Sequence, residues 1–151
     1  MVFASKVRVL SGRDTGRAMS QENVEIVRRI FEADRRRDVL TVQALYAPQI
    51  EWEDNTGMWG DWGVARGPDG IAQAWSRWYE AFRGVQMEFG EVADVDDYVV
   101  VTYPLHARGR ESGVEVNQSI TLLWTLEAGK AVRVRSYTSR AEALEAVGLR
   151  E

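Results

Sequence analysis

Asp54 is the side chain in this sequence best suited to move a proton. It ends the segment IEWED, residues 50–54, where the chain enters the stretch NTGMWGDWGVARG, residues 55–67. A carboxylate among Trp52, Trp59 and Trp62 loses hydration, which disfavours its charged form and lifts its pKa toward a range useful for acid–base work. The competing role is structural: an acidic residue at a strand end, solvated or capping a turn. Glu51 and Glu53 alternate with Trp52 and face away from it, while Trp52 and Asp54 share a face. Tyr103 and Gln118 are polar groups that strand parity turns inward, where they could orient a substrate. His106 titrates in the right range to shuttle protons. It is out of phase with Tyr103 and Leu105, however, and is expected on the outer side of the sheet. Arg133 and Arg135 share a face of the last strand. They either charge an outer face against edge pairing, or Arg135 enters a pocket mouth and fixes a substrate carboxylate. Arg35, Arg36 and Arg37 suit the end of a helix, where cations complement its dipole. A phosphate site is the sharper alternative for them.

Composition narrows the chemistry. With no cysteine and one histidine, thiolate metal sites, disulfides, Cys nucleophiles and multi-His metal centres are excluded. The lack of cysteine also fits a cytoplasmic location. A net charge of −4 gives no ground for a nucleic-acid or anionic-membrane partner. No stretch approaches the run of about 18 apolar residues needed to span a membrane. The excess is aromatic, with six Trp, five Tyr and four Phe in 151 residues.

The elements that must position these groups are legible. Residues 98–110, 114–126 and 131–137 are rich in Val, Ile, Thr, Tyr and Trp, the residues that fit a pleated surface. Glycines at 113 and 129 mark the hairpin turns between them. Val99, Val101, Tyr103, Leu105 and Ala107 share one face of the first strand. Val114, Val116, Gln118, Ile120, Leu122 and Trp124 share one face of the second. Ahead of this meander, Ser20 is the expected N-cap of a first helix with Val24, Val27 and Phe31 on its buried stripe. Asp38 caps a short helix over residues 39–47, with Leu40, Ala44 and Leu45 inward and Pro48 as its stop. Asp69 opens a third helix whose face carries Ile71, Trp75, Trp78 and Phe82. A further strand is expected over residues 85–95, with a bulge or bend at Gly90. Ser139 and Glu142 form a capping box for a short last helix, closed by Gly148. Residues 1–18 lack the apolar centre of a secretory signal and are expected to form a disordered leader, with a short strand near residues 7–10 as the alternative. Residues 19–151 form one domain. Helices segregated on one curved antiparallel sheet give an α+β cone, covered by about three N-terminal helices and a short C-terminal one.

Several segments carry a family resemblance: RRRDV at the end of the first helix, LYAPQIEWEDN, GPDGIAQAWSRWYEAF, the GRESG turn and WTLEAGKAVRVRSYTSRAEALEAVGL. Over residues 20–149 the chain resembles the nuclear-transport-factor-like superfamily, in its SnoaL-like and ketosteroid-isomerase-like branch. The resemblance implies a deep apolar pocket inside the cone for a small hydrophobic ring or polyketide-like molecule, and a homodimer through the outer sheet face. It implies acid–base chemistry without a cofactor or metal, of the isomerase, cyclase or dehydratase kind, with Asp54 at the position of the base. The isomerases' tyrosine donor falls on Ile30, and their protonated aspartate falls on Leu122, or on Thr121 if the register slips by one. Tyr46, Tyr79, Tyr103 and Gln118 are the substitute donors. The expected pocket wall is Trp52, Trp59, Trp62, Trp75, Trp78, Tyr79, Leu105, Ile120 and Leu122. The Arg-x-Asp pair of this superfamily's epoxide hydrolases is missing from the strands. With so few polar groups, a non-catalytic binding or dimerisation domain of the same fold is the alternative.

Overall fold

The computed structural model describes residues 7–9, 14–57 and 63–149, with side chains from residue 21 onward. In chain order the elements are β1 Val7–Val9, α1 Asp14–Arg35, α2 Val39–Leu45, β2 Tyr46–Asp54, β3 Val64–Arg66, α3 Gly67–Ala81, β4 Phe82–Met87, β5 Glu91–Val95, β6 Tyr98–Gly109, β7 Glu115–Glu127, β8 Lys130–Tyr137 and α4 Arg140–Ala146. The sheet runs in the order β1-β5-β6-β7-β8-β2-β3, with β4 also on β6. It curls into a half-barrel that α1, α2 and α3 cover from inside, and α4 packs on the outside. The fold is α+β, as the sequence predicts.

The sheet is mixed rather than wholly antiparallel. β2 lies parallel to β8, and β1 lies parallel to β5. The reason is topological. β2 precedes α3 and the whole meander, so it joins β8 across a long crossover that leaves no hairpin constraint on direction. The meander itself matches its expected bounds within a residue or two. At its last turn, Ala128 and Gly129 take φ values of 50° and 78°, the signature of a tight primed hairpin turn.

The helix starts differ more. α1 begins at Asp14, so Ser20 lies inside it rather than capping it. Within the expected leader, Val7–Val9 and the first residues of α1 are in regular structure; the remainder lies outside the described residues. The single strand expected over residues 85–95 is two. β4 pairs with the second half of β6 and β5 with the first half. The break falls at Gly90, where a Cβ would sit 2.2 Å from the Thr102 carbonyl oxygen. No side chain fits there.

Two cores follow from the alternation. On the inner face Val99, Val101, Tyr103, Leu105, Ile120, Leu122 and Trp124 pack with Trp52 and the apolar faces of α1 and α3. On the outer face Val100, Leu123 and Tyr137 pack with Ala143 and Leu144 of α4. Leu122 is therefore inward. Thr121 is outward, sharing a hydrogen bond of 3.0 Å with Thr102.

Aromatic rings fill the inside of the cone. Trp52 meets Trp75 and Trp124 edge-to-face at 5.5 and 5.7 Å, and Phe31 meets Phe89 and Tyr103 in the same way. Each such ring buries roughly 200 Å², or about 5 kcal/mol of apolar burial before entropy. What remains among Phe31, Tyr46, Trp52, Tyr103 and Trp124 is a void of about 20 Å³, room for one water. The deep pocket expected inside the cone is thus occupied by side chains.

Candidate functional site

The open space lies at the cone's mouth, and the end of α1 sets it up. α1 closes with Asp38 N–H donating to Ala33 O at 2.8 Å and Arg37 N–H donating to Asp34 O at 3.0 Å, the paired bonds of a Schellman ending. Arg37 takes the left-handed position at φ 58°, where glycine is the ordinary choice. Asp38 then caps α2, accepting 3.3 Å from Thr41 N–H and 2.6 Å from Thr41 Oγ1–H. Across the mouth, Gln43 Nε2–H donates to Asp69 Oδ1 at 3.2 Å, tying α2 to α3.

Beneath this roof is a cavity of about 530 Å³ whose wall includes Asp34, Val42, Tyr46, Ile71, Trp75 and Tyr79, a size typical of small-molecule pockets. A second cavity of about 480 Å³ adjoins it on the far side of Tyr79, towards β4. Asp34 borders both cavities and the small void as well. Burial pushes its carboxyl up to about 6, against a smaller lowering by the Arg37 charge. No hydrogen bond or ion pair reaches this carboxylate among the described residues. Asp38 goes the other way: the Thr41 hydroxyl and amide bonds, followed by the Arg36 charge, hold its carboxyl below the ordinary carboxylate range. Tyr46, Tyr79 and Tyr103 are each raised by burial first and by the Asp34 charge second. They keep their protons and remain donors. One carboxyl able to exchange a proton near neutrality, set among phenolic donors at an apolar cavity, is a constellation for proton transfer.

The sequence-predicted residues divide around this site. Trp75 and Tyr79 line the 530 Å³ cavity. Trp52, Tyr103 and Leu122 line only the small void. Trp78, Leu105 and Ile120 are core, at 4%, 0% and 0% exposure. Trp59 and Trp62 lie outside the described residues. Gln118 is half-buried opposite Leu105 and lines none of these cavities.

Asp54 caps the turn that follows it. Its carboxylate accepts from Thr56 N–H at 2.9 Å, Thr56 Oγ1–H at 2.6 Å and Gly57 N–H at 3.2 Å. It ends β2, whereas Tyr46 starts it. At about 3.3 Å per residue the two stand on the order of 25 Å apart along the strand, so Asp54 and the cavity are at opposite ends. His106 is on the outer face, as its phase predicts, with Nδ1 2.5 Å from Asn117 Oδ1. Arg135 stands opposite Leu123 of the outer cluster and is 9% exposed. It does not enter the mouth, because directly paired residues share a sheet face.

Sequence reasoning missed Asp34. A signal for Asp34 was available: it extends the stripe Val24, Val27, Phe31 by three residues, placing a charge on an otherwise apolar helix face. Arg110, which the sequence places near the first hairpin with Arg108 as either a surface charge or an arginine at the cone mouth, borders the cavity.

A SnoaL-like domain family matches residues 27–134 of the chain. Among solved structures, the chain is similar to an NTF2-like protein from Burkholderia pseudomallei, at 23% identity over 84% of this chain and 98% of that one, with a TM-score of 0.69. It is similar to TerC co-crystallised with polyporic acid, at 23% identity over 82% and 96% and a TM-score of 0.68. It is also similar to a protein named a SnoaL-like polyketide cyclase from Jannaschia, at 22% identity over 84% and 89% and a TM-score of 0.66. No curated protein matches. At these identities the solved structures speak for the fold. Together with a family match spanning most of the described domain, they lead to one conclusion: this chain belongs to the SnoaL-like domain family and has the NTF2-like α+β fold.

Proposed function

We propose that the chain binds a small hydrophobic ring compound in the cavity between α1, α2 and α3, and moves a proton on it without a cofactor, with Asp34 as the acid–base group. The observation that carries this is an unpaired, half-buried carboxyl in the wall of an apolar cavity of about 530 Å³. Tyr46 and Tyr79 are the donors nearest to hand for an oxygen that gains charge as the proton leaves. The reaction class is isomerisation, ring closure or dehydration next to a carbonyl. Asp54 keeps a structural role in this scheme, since its carboxylate is already engaged by three donors. TerC, which has a similar fold, was co-crystallised with the small organic molecule polyporic acid, and the Jannaschia protein carries the cyclase name. Both support a ligand of this size and kind.

Proton abstraction can be read without knowing the substrate. In D₂O, a panel of cyclic ketones is followed by NMR for exchange of the hydrogens next to the carbonyl. The wild-type chain should accelerate exchange for at least one ketone. Asp34→Asn should lower that rate at least about 100-fold, in keeping with the loss of a general base, and Asp54→Asn should leave it within about threefold. Loss in Asp54→Asn with retention in Asp34→Asn would return the base to Asp54. Ketones that bind but never exchange would favour a purely binding role.

A further inference from the structure

Arg37 and Arg110 both border the 530 Å³ cavity and its 480 Å³ neighbour, as do Asp34 and Tyr79. The two arginines come from distant parts of the chain, one from the end of α1 and one from the turn after β6. Each is oriented by Tyr79. The Arg37 guanidinium lies 5.2 Å over the Tyr79 ring. Arg110 Nε–H donates to the Tyr79 carbonyl oxygen at 3.3 Å, while the Arg110 backbone N–H donates to Ala81 O at 2.9 Å. Both are exposed.

Arg36, Arg66, Arg108, Arg133 and Arg140 all have carboxylate partners within 4 Å. Among the described residues Arg37 and Arg110 have none, and the Arg110 terminal amino groups carry no bond. Arg29, Arg77 and Arg135 also form no ion pair among the described residues, and what sets Arg37 and Arg110 apart is their shared place at both cavities. Arg83 borders the second cavity on the same terms. The chain carries 23 acidic residues against 19 basic ones, so partners are plentiful elsewhere. Glu80 and Glu88 border the first and second cavity respectively, and neither forms an ion pair with these arginines. Guanidinium groups fixed in orientation but left unpaired are suited to a planar oxyanion.

We propose that the ligand is an amphipathic anion. Its ring body occupies the 530 Å³ cavity against Trp75, and its acidic oxygen group is held by Arg37 and Arg110 where the two cavities meet. This rests on the ligand site proposed above and adds its charge requirement. The anionic group is a carboxylate or another oxyanion of similar shape. Its place beside Tyr79 fixes which end of the ring system approaches Asp34.

Two dyes with the same ring system separate the claims. 8-Anilinonaphthalene-1-sulfonate carries the oxyanion, and N-phenyl-1-naphthylamine lacks it. Fluorescence titration of the wild-type chain should show the sulfonate dye binding about tenfold more tightly than the neutral dye, the combined effect of two charge-assisted contacts at an exposed site. Arg37→Gln and Arg110→Gln should each weaken the sulfonate dye about threefold and change the neutral dye less than twofold. Arg37→Gly, which suits the left-handed backbone, should do the same as Arg37→Gln and guards against a folding artefact. The preference should shrink in high salt. If the wild type holds both dyes equally, or the double variant Arg37→Gln/Arg110→Gln keeps the preference, the charge requirement is wrong and the ring site stands. If the wild type binds neither dye, the ring site and the charge requirement fail together.

Discussion

Asp34 and Asp38 lie four residues apart, either side of the end of α1, on the wall of a single cavity, yet their surroundings set them apart. Three atoms from Arg36 and Thr41 attend Asp38; among the described residues no hydrogen bond or ion pair reaches the Asp34 carboxyl, which feels the Arg37 charge more weakly than its burial. The linkage to stability follows from the sign of the shift. A carboxyl whose folded pKa of about 6 exceeds its unfolded 3.8 favours folding fully at low pH, and that contribution is lost as pH rises through 6. Asp34→Asn removes the dependence. Its thermal stability should equal that of the wild type near pH 4, exceed it progressively to pH 6, and stay higher by about 2 kcal/mol at pH 7–8, a figure already discounted for partial exposure. Parallel thermal scans from pH 4 to 8 check this; a constant offset would mean that Asp34 is not the titrating group. At this scale the sequence shows less than it does elsewhere. Asp54 has the right neighbours in the chain and the right parity, but its bonding is decided by the backbone of Thr56 and Gly57, which parity does not describe. For Asp34 the charge on an apolar stripe was visible, while the desolvation that makes it useful comes from α2 and α3 closing over it.

At the scale of elements, the ends of helices carry the site. Arg37 occupies a left-handed position that costs a residue with a Cβ about 1 kcal/mol relative to glycine. Arg37→Gly should therefore stabilise the fold by about 0.5–1 kcal/mol in urea denaturation, even as it removes a guanidinium from the cavity. A destabilised variant would show that the contact with the Tyr79 ring outweighs the backbone strain. α2 illustrates where pattern reading stops. Leu40 and Ala44, expected inward, are exposed, Leu40 at 80%, while Leu45 packs toward the core as expected and Val42 joins it. A seven-residue helix that roofs a cavity has no continuous core beneath it to select one stripe. The meander was readable because each strand rests on a filled core, where period-2 burial is enforced at every residue. α4 was readable because its signals are local: Glu142 N–H donates to Ser139 Oγ at 3.1 Å, and Gly148 has φ 75°.

For the whole molecule, the filled cone separates stability from binding. Trp52 is 3% exposed, packs on Trp75 and Trp124, and donates through Nε1–H to Ser136 Oγ at 2.8 Å. Trp52→Ala should cost about 3–5 kcal/mol in chemical denaturation. The neutral dye affinity, measured where the variant is still folded, should change less than threefold; a larger loss would place Trp52 in the binding wall. The outer sheet face is covered by α4 over one end, while Pro104, His106, Asn117 and Ser119 are exposed at the other. A homodimer through that face, which we propose, must use this open end. Sedimentation velocity should then find twice the 17.1 kDa monomer mass and the monomer alone for Ser119→Arg. Wild-type monomer at all concentrations would rule the dimer out. Among the described residues no helix is long and apolar enough to cross a membrane.

The margins of the sheet have a consequence for the fate of the chain in concentrated solution. β1 and β3, which end the strand order, are three residues each. The free side of β4 is interrupted by Gly84 at φ 60° and by a shift in register. A growing fibril needs a long, straight row of unpaired amides to template the next strand. None of these borders offers one, although the sheet between them holds strands of 12 and 13 residues. The folded chain is thereby protected from templated aggregation, and that hazard is confined to molecules in which β6 and β7 have come apart.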